Sequence, residues 1–232
     1  VVLALLTLLA AVNGLQHRAA LSGPAADPAT VAIVRADAWP VPDDEVEDLV
    51  EEAIEMAGGL EEIIDSGDTV VVKPNLVWGG DPDEGYTTDP RVVRAVVRLV
   101  QEAGAGQVII ADGAARYRED RDERGATLDA FRRCGYDADG DLLDDETGVP
   151  LVDLNDAGGL DQRDPALVTE VVVPNGLIWT SYWLPRVVME ADVLITVPVL
   201  KNHYVAGVTL ALKNQIGIAP SDIYHSPGSN MY

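Results

Sequence analysis

Apolar and polar positions follow one another along the chain in blocks whose spacing predicts an α/β protein. Val31–Ala36 (VAIVRA) is a short β-branched run and predicts a first strand. Val46, Leu49, Val50, Ala53, Ile54 and Ala57 then recur at helical spacing, with Gly58-Gly59 as the stop. Thr69–Val72 is continuously apolar, as in a strand covered on both faces, and Lys73-Pro74-Asn75 follows at its carboxyl end. Thr88 or Asp89 caps a second predicted helix, with Pro90 in its first turn and Gly104 at its end. Val92, Val93, Val96, Leu99, Val100 and Ala103 form its apolar face, and Arg91, Arg94 and Arg98 form a face expected to be solvated. Gln107–Ala111 predicts a third strand with Asp112-Gly113 at its tip, where the aspartate could meet a metal or hydroxyl group or cap the turn.

The second half is more broken. A weak helical pattern surrounds Leu128 and Phe131. The acidic stretch from Asp137 to Gly148 lacks the glycine and closing glutamate of a calcium loop, so it predicts a solvated loop. Pro150–Leu154 and Glu170–Val173 are further strand candidates. Asn175-Gly176 predicts a hairpin turn between Val171–Val173 and Leu177–Trp179, and core packing is expected of Trp179, Tyr182 and Trp183. Asp192–Val197 is a last apolar strand, stopped by Pro198. Together these elements predict a mostly parallel sheet with helices on both faces and Rossmann-like layering, a single domain over residues 31–232 that is incomplete at its carboxyl end.

Val1–Val12 is apolar throughout and too short to span a bilayer. It suits the core of a truncated export signal or membrane anchor, with Ala20-Leu21-Ser22 as a small-x-small cleavage site, and residues 1–30 are expected to lie outside the fold. The chain is then exported or membrane-anchored, or cytoplasmic if residues 1–12 are not a signal. The formal charge of −23, from 39 acidic and 16 basic residues, argues against nucleic acid as a partner. The single cysteine, Cys134, excludes an internal disulfide and an iron–sulfur cluster held within this chain, and reads as a small buried filler.

Against that acidic background the lysines are few. Lys73 and Lys201 each accompany a strand that stops at a proline, which would bring both to one edge of the sheet. With Asn75, Asn214 and Lys213 they make a candidate site for a small anionic molecule: a carboxylate, a phosphate or an anionic cofactor. His203 precedes Lys213 by ten residues and suits a general acid or base. Thr209–Ile216 can form a short helix whose early amides would add to an anion site. His203 and His225 are also candidate ligands for nickel or another transition metal. The expected function is an enzyme acting on an anion, with a noncatalytic, exported anion- or metal-binding module as the alternative. Nothing in the sequence indicates an oligomeric state.

VVVKPNL, TTDPRVVRAVVRLVQEAGAGQVIIADG and ADVLITVPVLKNHYVAGVTLALKNQIGIAP together resemble the domain of unknown function 362 family. Some of its members are fused to ferredoxin-type modules, which implies a redox partner or a fused module of that kind. More distantly, the chain is similar to the N-terminal domain of nickel-dependent lactate racemase. That similarity implies His203 near the substrate, Lys213 as the anchor of a nickel pincer cofactor, and His225 as a nickel ligand. Leu210-Ala211-Leu212 stands where that family has a double glycine before the lysine.

Overall fold

The computed structural model describes residues 7–10, 30–115 and 126–224. A five-stranded sheet is its centre. In chain order the elements are β1 (Thr7–Ala10), α1 (Asp43–Ala57), β2 (Thr69–Lys73), α2 (Pro90–Glu102), β3 (Gln107–Asp112), α3 (Ala126–Arg133) and β4 (Leu151–Asp153). They continue with β5 (Val168–Val172), β6 (Ser181–Pro185), α4 (Arg186–Met189), β7 (Val193–Thr196), β8 (Lys201–His203), β9 (Gly207–Thr209), α5 (Ala211–Asn214) and α6 (Ser221–Tyr224). The sheet order is β1-β7-β2-β3-β4. Strands β7, β2, β3 and β4 are parallel, and β1 closes one edge antiparallel to β7.

Alternation along the strands divides the core into two layers. Val70, Val72, Val108, Ile110, Val193 and Ile195 face α1, α2 and α3 and pack against Val46, Val50, Val93, Val96 and Phe131. Val71, Ile109, Ala111 and Leu194 face the other way, onto Leu154, Val188 and Ala191. The apolar run of β2 therefore reflects burial on both sides, and each of its three valines is fully enclosed. Each such side chain contributes about 1.5–3 kcal/mol through burial. Cys134 lies in the first layer, as a small core residue.

Local chemistry sets the ends of the helices. Asp89 caps α2 by accepting a hydrogen bond from the Arg91 amide at 2.9 Å, with Pro90 at the first position. Gly58 ends α1 with φ 117°, a conformation that disfavours any side chain.

Several expectations need correction. Val31–Ala36 forms no strand: it lies outside the sheet with Val31 and Ile33 exposed, and β7 takes β1 as its edge partner instead. Thr7–Ala10 thus belongs to the sheet rather than lying outside the fold. The rest of Val1–Val12 and the Ala20–Ser22 cleavage site lie outside the described residues. The partner of β5 is Ser181–Pro185, because the Asn175-Gly176 turn widens into an eight-residue loop closed by the Val173 amide on the Thr180 carbonyl at 2.7 Å. Trp179 is consequently exposed rather than in the core. Arg94 is buried, not solvated: it makes a two-pronged ion pair with Asp144 and reaches Glu146 and the Gly135 carbonyl. The acidic loop is correspondingly folded around Asp144 and Asp137, both buried. Among the described residues no helix is long and apolar enough to cross a membrane.

Candidate functional site

The parallel strands end together, and the connections that leave them enclose a cavity of about 330 Å³. Six candidate residues, Lys73, Asn75, Lys201, His203, Lys213 and Asn214, all line it. They come from two places in the chain, and sheet topology unites them: the end of β2 delivers Lys73 and Asn75, while the segment after β7 delivers the other four. His225 lies outside the described residues.

Lys73 is not a free cation. Its ammonium is buried and forms an ion pair with Asp112 at the tip of the neighbouring β3. The second carboxylate oxygen of Asp112 accepts the Leu76 amide at 2.9 Å, so the aspartate ties the chain beyond β2 to β3. Asn214 completes this layer. Its side-chain amide donates to Thr196 Oγ1 at 2.7 Å and to the Lys73 carbonyl at 3.2 Å, while its oxygen accepts from Lys73 Nζ at 3.4 Å. Asn75 holds the covering loop through Tyr86, donating to that carbonyl at 3.3 Å. Lys73, Asn75, Asn214 and Asp112 therefore form the floor and its fastenings.

The walls carry the available charge. Lys201 is half-buried, donates to the Tyr86 carbonyl at 2.6 Å and lies 5.7 Å from the Tyr86 ring. Among the described residues neither Lys201 nor Lys213 has a carboxylate partner, whereas Arg91, Arg94, Arg98, Arg132 and Arg186 each reach one. Burial first, and then the positive charge of Lys213, push the Lys201 ammonium down to about 8. Lys213 is likewise lowered, by burial and then by Lys73. These cations repel one another in a space partly closed to water. Such an arrangement favours an anion between them.

His203 is positioned by its own hairpin. Its Nδ1 accepts the amides of Val205 and Ala206 at 3.2 and 3.1 Å, so a neutral ring carries its proton on Nε2. Burial, followed by the charges of Lys213 and Lys201, lowers its pKa below the ordinary value, which keeps it neutral. A metal would need Nε2 stripped of that proton or Nδ1 freed from the hairpin. Among the described residues, no group of three His, Cys, Asp or Glu gathers elsewhere to hold a metal. The ring as placed is a hydrogen-bond donor and does not fit the candidate metal-ligand role of His203, while His225, the nickel ligand that the racemase resemblance implies, lies outside the described residues.

Residues without a sequence signal complete the enclosure. Val77, Trp78 and Tyr86 come from the glycine-rich loop between β2 and α2, with the Trp78 and Tyr86 rings 5.5 Å apart. Val77 holds φ at 58°, a strained conformation for a β-branched residue. Gly217 lies against the floor: a Cβ there would come within 2.5 Å of Asp112 Oδ1 and 2.8 Å of Lys73 Nζ. The length and glycine content of the loop point to a cover, but neither identifies Tyr86 as the contact for Lys201.

Comparison with known proteins gives the family. The family profile described as a domain of unknown function (DUF362) matches residues 70–230, a span that includes the four parallel strands and the residues lining the cavity. The chain belongs to this family. A thylakoid-associated protein of Synechocystis is 31% identical over 167 residues, covering 72% of this chain and 44% of that protein. The chain thus matches less than half of its relative's length. No solved structure matches it.

Proposed function

We propose that this DUF362 domain is the anion-binding part of an enzyme, and that its cavity takes a small molecule bearing a carboxylate or phosphate. The supporting observation is the pair Lys201 and Lys213: two half-buried cations without a described carboxylate partner, on one cavity of a chain whose net charge is −23. Their ammonium groups neutralise the ligand, and the Nε2–H of His203 donates to it. With Nδ1 held by the hairpin amides, the neutral ring acts as a hydrogen-bond donor that stabilises negative charge on the ligand and does not hand its proton over. Lys73 acts from beneath, as the buried partner of Asp112. Trp78, Tyr86 and Tyr204 give the cavity apolar surface beside its charge, which suits an anion with a carbon skeleton better than a bare ion. The thylakoid association of the Synechocystis relative supports a membrane location for this chain as well.

Titration with pyruvate, lactate and inorganic phosphate at low ionic strength tests the reading. A true ligand at a hundredfold excess over its Kd stabilises the fold by about 2.7 kcal/mol, raising Tm by roughly 5–10 °C. Lys213→Met is expected to abolish that shift while leaving the unliganded Tm nearly unchanged. If Lys213→Met itself unfolds the protein, the lysine is structural. If it binds all three anions as the wild type does, the site is elsewhere. A ligand bound stoichiometrically but recovered unchanged after long incubation supports the noncatalytic module instead.

A further inference from the structure

A second feature lies outside the cavity. From Val171 to Pro185 the chain contains no charged residue, although a quarter of all its residues are charged. This run forms the second half of β5, the connecting loop and β6. Its apolar side chains are not turned inward: Leu177 is 103% exposed, Ile178 72% and Val172 68%, with Val173 and Trp179 exposed beside them. The loop is nevertheless well fixed. The Val173 amide meets the Thr180 carbonyl at 2.7 Å and the Gly176 amide meets the Val173 carbonyl at 2.9 Å. A Cβ on Gly176 would fall 1.9 Å from the Trp179 carbonyl, so only glycine permits this turn.

Behind the tip stands a cluster of amphipathic rings. Trp179 stacks on Tyr224 at 5.7 Å and meets Tyr182 edge-on at 5.5 Å. The Tyr224 hydroxyl accepts the Trp183 amide at 2.7 Å. An aliphatic tip backed by tryptophan and tyrosine matches the order of environments from acyl chain to headgroup.

We propose that the tip of the β5–β6 hairpin, Val172–Trp179, seats in the surface of a lipid bilayer with uncharged or zwitterionic headgroups. Charge decides the type of lipid. A protein at −23 is repelled by anionic headgroups, and a basic partner would find no acid from Val171 to Pro185, Glu170 lying in β5 away from the tip and accepting the Ser181 hydroxyl. An uncharged surface matches an uncharged tip. This inference rests on the membrane location proposed above and is independent of the anion cavity.

The test mixes the full chain with phosphatidylcholine vesicles and follows tryptophan emission, with brominated acyl chains as a depth-dependent quencher. The wild type is expected to partition with blue-shifted, quenched emission, and Trp179→Phe to lose most of the quenching. Leu177→Ser with Ile178→Ser is expected to weaken partitioning at least about tenfold, since each removes apolar surface from the lipid. Both side chains are exposed, so Tm and anion binding should not change. If the double variant partitions like the wild type, the hairpin is not the contact, and membrane association through another segment survives. If the wild type leaves phosphatidylcholine unbound, the hairpin proposal and the membrane location fall together. A wild-type dimer in sedimentation that the double variant abolishes, without lipid binding, would make the tip an interface between copies.

Discussion

Lys73 and Asp112 end two neighbouring parallel strands and form an ion pair with both side chains almost fully withdrawn from water. The pair fastens β2 to β3 directly beneath the cavity, and it explains why a lysine that follows an apolar strand points inward rather than into solvent. Removing one partner strands a charge in the interior. Asp112→Asn and Lys73→Met are each expected to cost about 3–5 kcal/mol in urea unfolding. The double variant Lys73→Met with Asp112→Leu should recover most of that loss, because neither charge is then left alone. Equal losses in single and double variants would show that the pair acts through its hydrogen bonds to Leu76 and Asn214 instead.

Gly217 is required by space, not by backbone conformation. Gly217→Ala pushes a methyl group into the Lys73–Asp112 pair and should destabilise the protein by about 1–3 kcal/mol. Because the floor moves, anion affinity should fall with it. A variant with wild-type Tm and wild-type affinity would mean that the loop carrying Gly217 yields at little cost.

The sheet was legible wherever burial wrote a simple pattern. Val70–Val72, Ile109–Ala111 and Val193–Ile195 announce strands because both faces are covered, and α1 and α2 announce themselves by one apolar stripe. That Lys73, Lys201 and Lys213 share one cavity was legible because lysines are scarce in this chain and these three follow strands. What the sequence hid was pairing. Lys73 and Lys201 look alike as strand-associated lysines, yet only the fold puts Asp112 beside the first and a backbone carbonyl beside the second. Val31–Ala36 has strand composition, but edge pairing is decided by whichever segment reaches β7, and local propensity does not determine that.

Arg94 shows the same limit on a helix. Its spacing places it in a row with Arg91 and Arg98, but Asp144 arrives from a loop fifty residues on and draws it inward. Arg94→Met leaves Asp144 buried and unpaired and should cost about 3–5 kcal/mol. Arg94→Lys should recover little, since a single ammonium cannot reproduce the two-pronged contact. Arg98→Met, whose pair with Glu47 is exposed, should change stability by less than about 1 kcal/mol, and chemical unfolding of the three variants side by side checks the order.

Lys201 gives the site a pH dependence with opposite signs for binding and folding. With its pKa at about 8, the ammonium is charged at pH 6–7.5, and affinity for an anion that does not itself titrate there should be nearly flat. Above pH 8 the free site loses the proton that the ligand needs, so affinity should fall by up to about tenfold per pH unit. Stability runs the other way. The folded pKa lies below the unfolded value of 10.5, so between about 8 and 10.5 the unfolded chain binds more protons, and this group's contribution to stability rises with pH. Lys201→Met should weaken both trends together, leaving the part that Lys213, also lowered, contributes. Calorimetric titration of the anion and urea midpoints of the free protein, each from pH 7 to 10, check them, and an affinity that holds constant across pH 8–10 would remove Lys201 from the binding site.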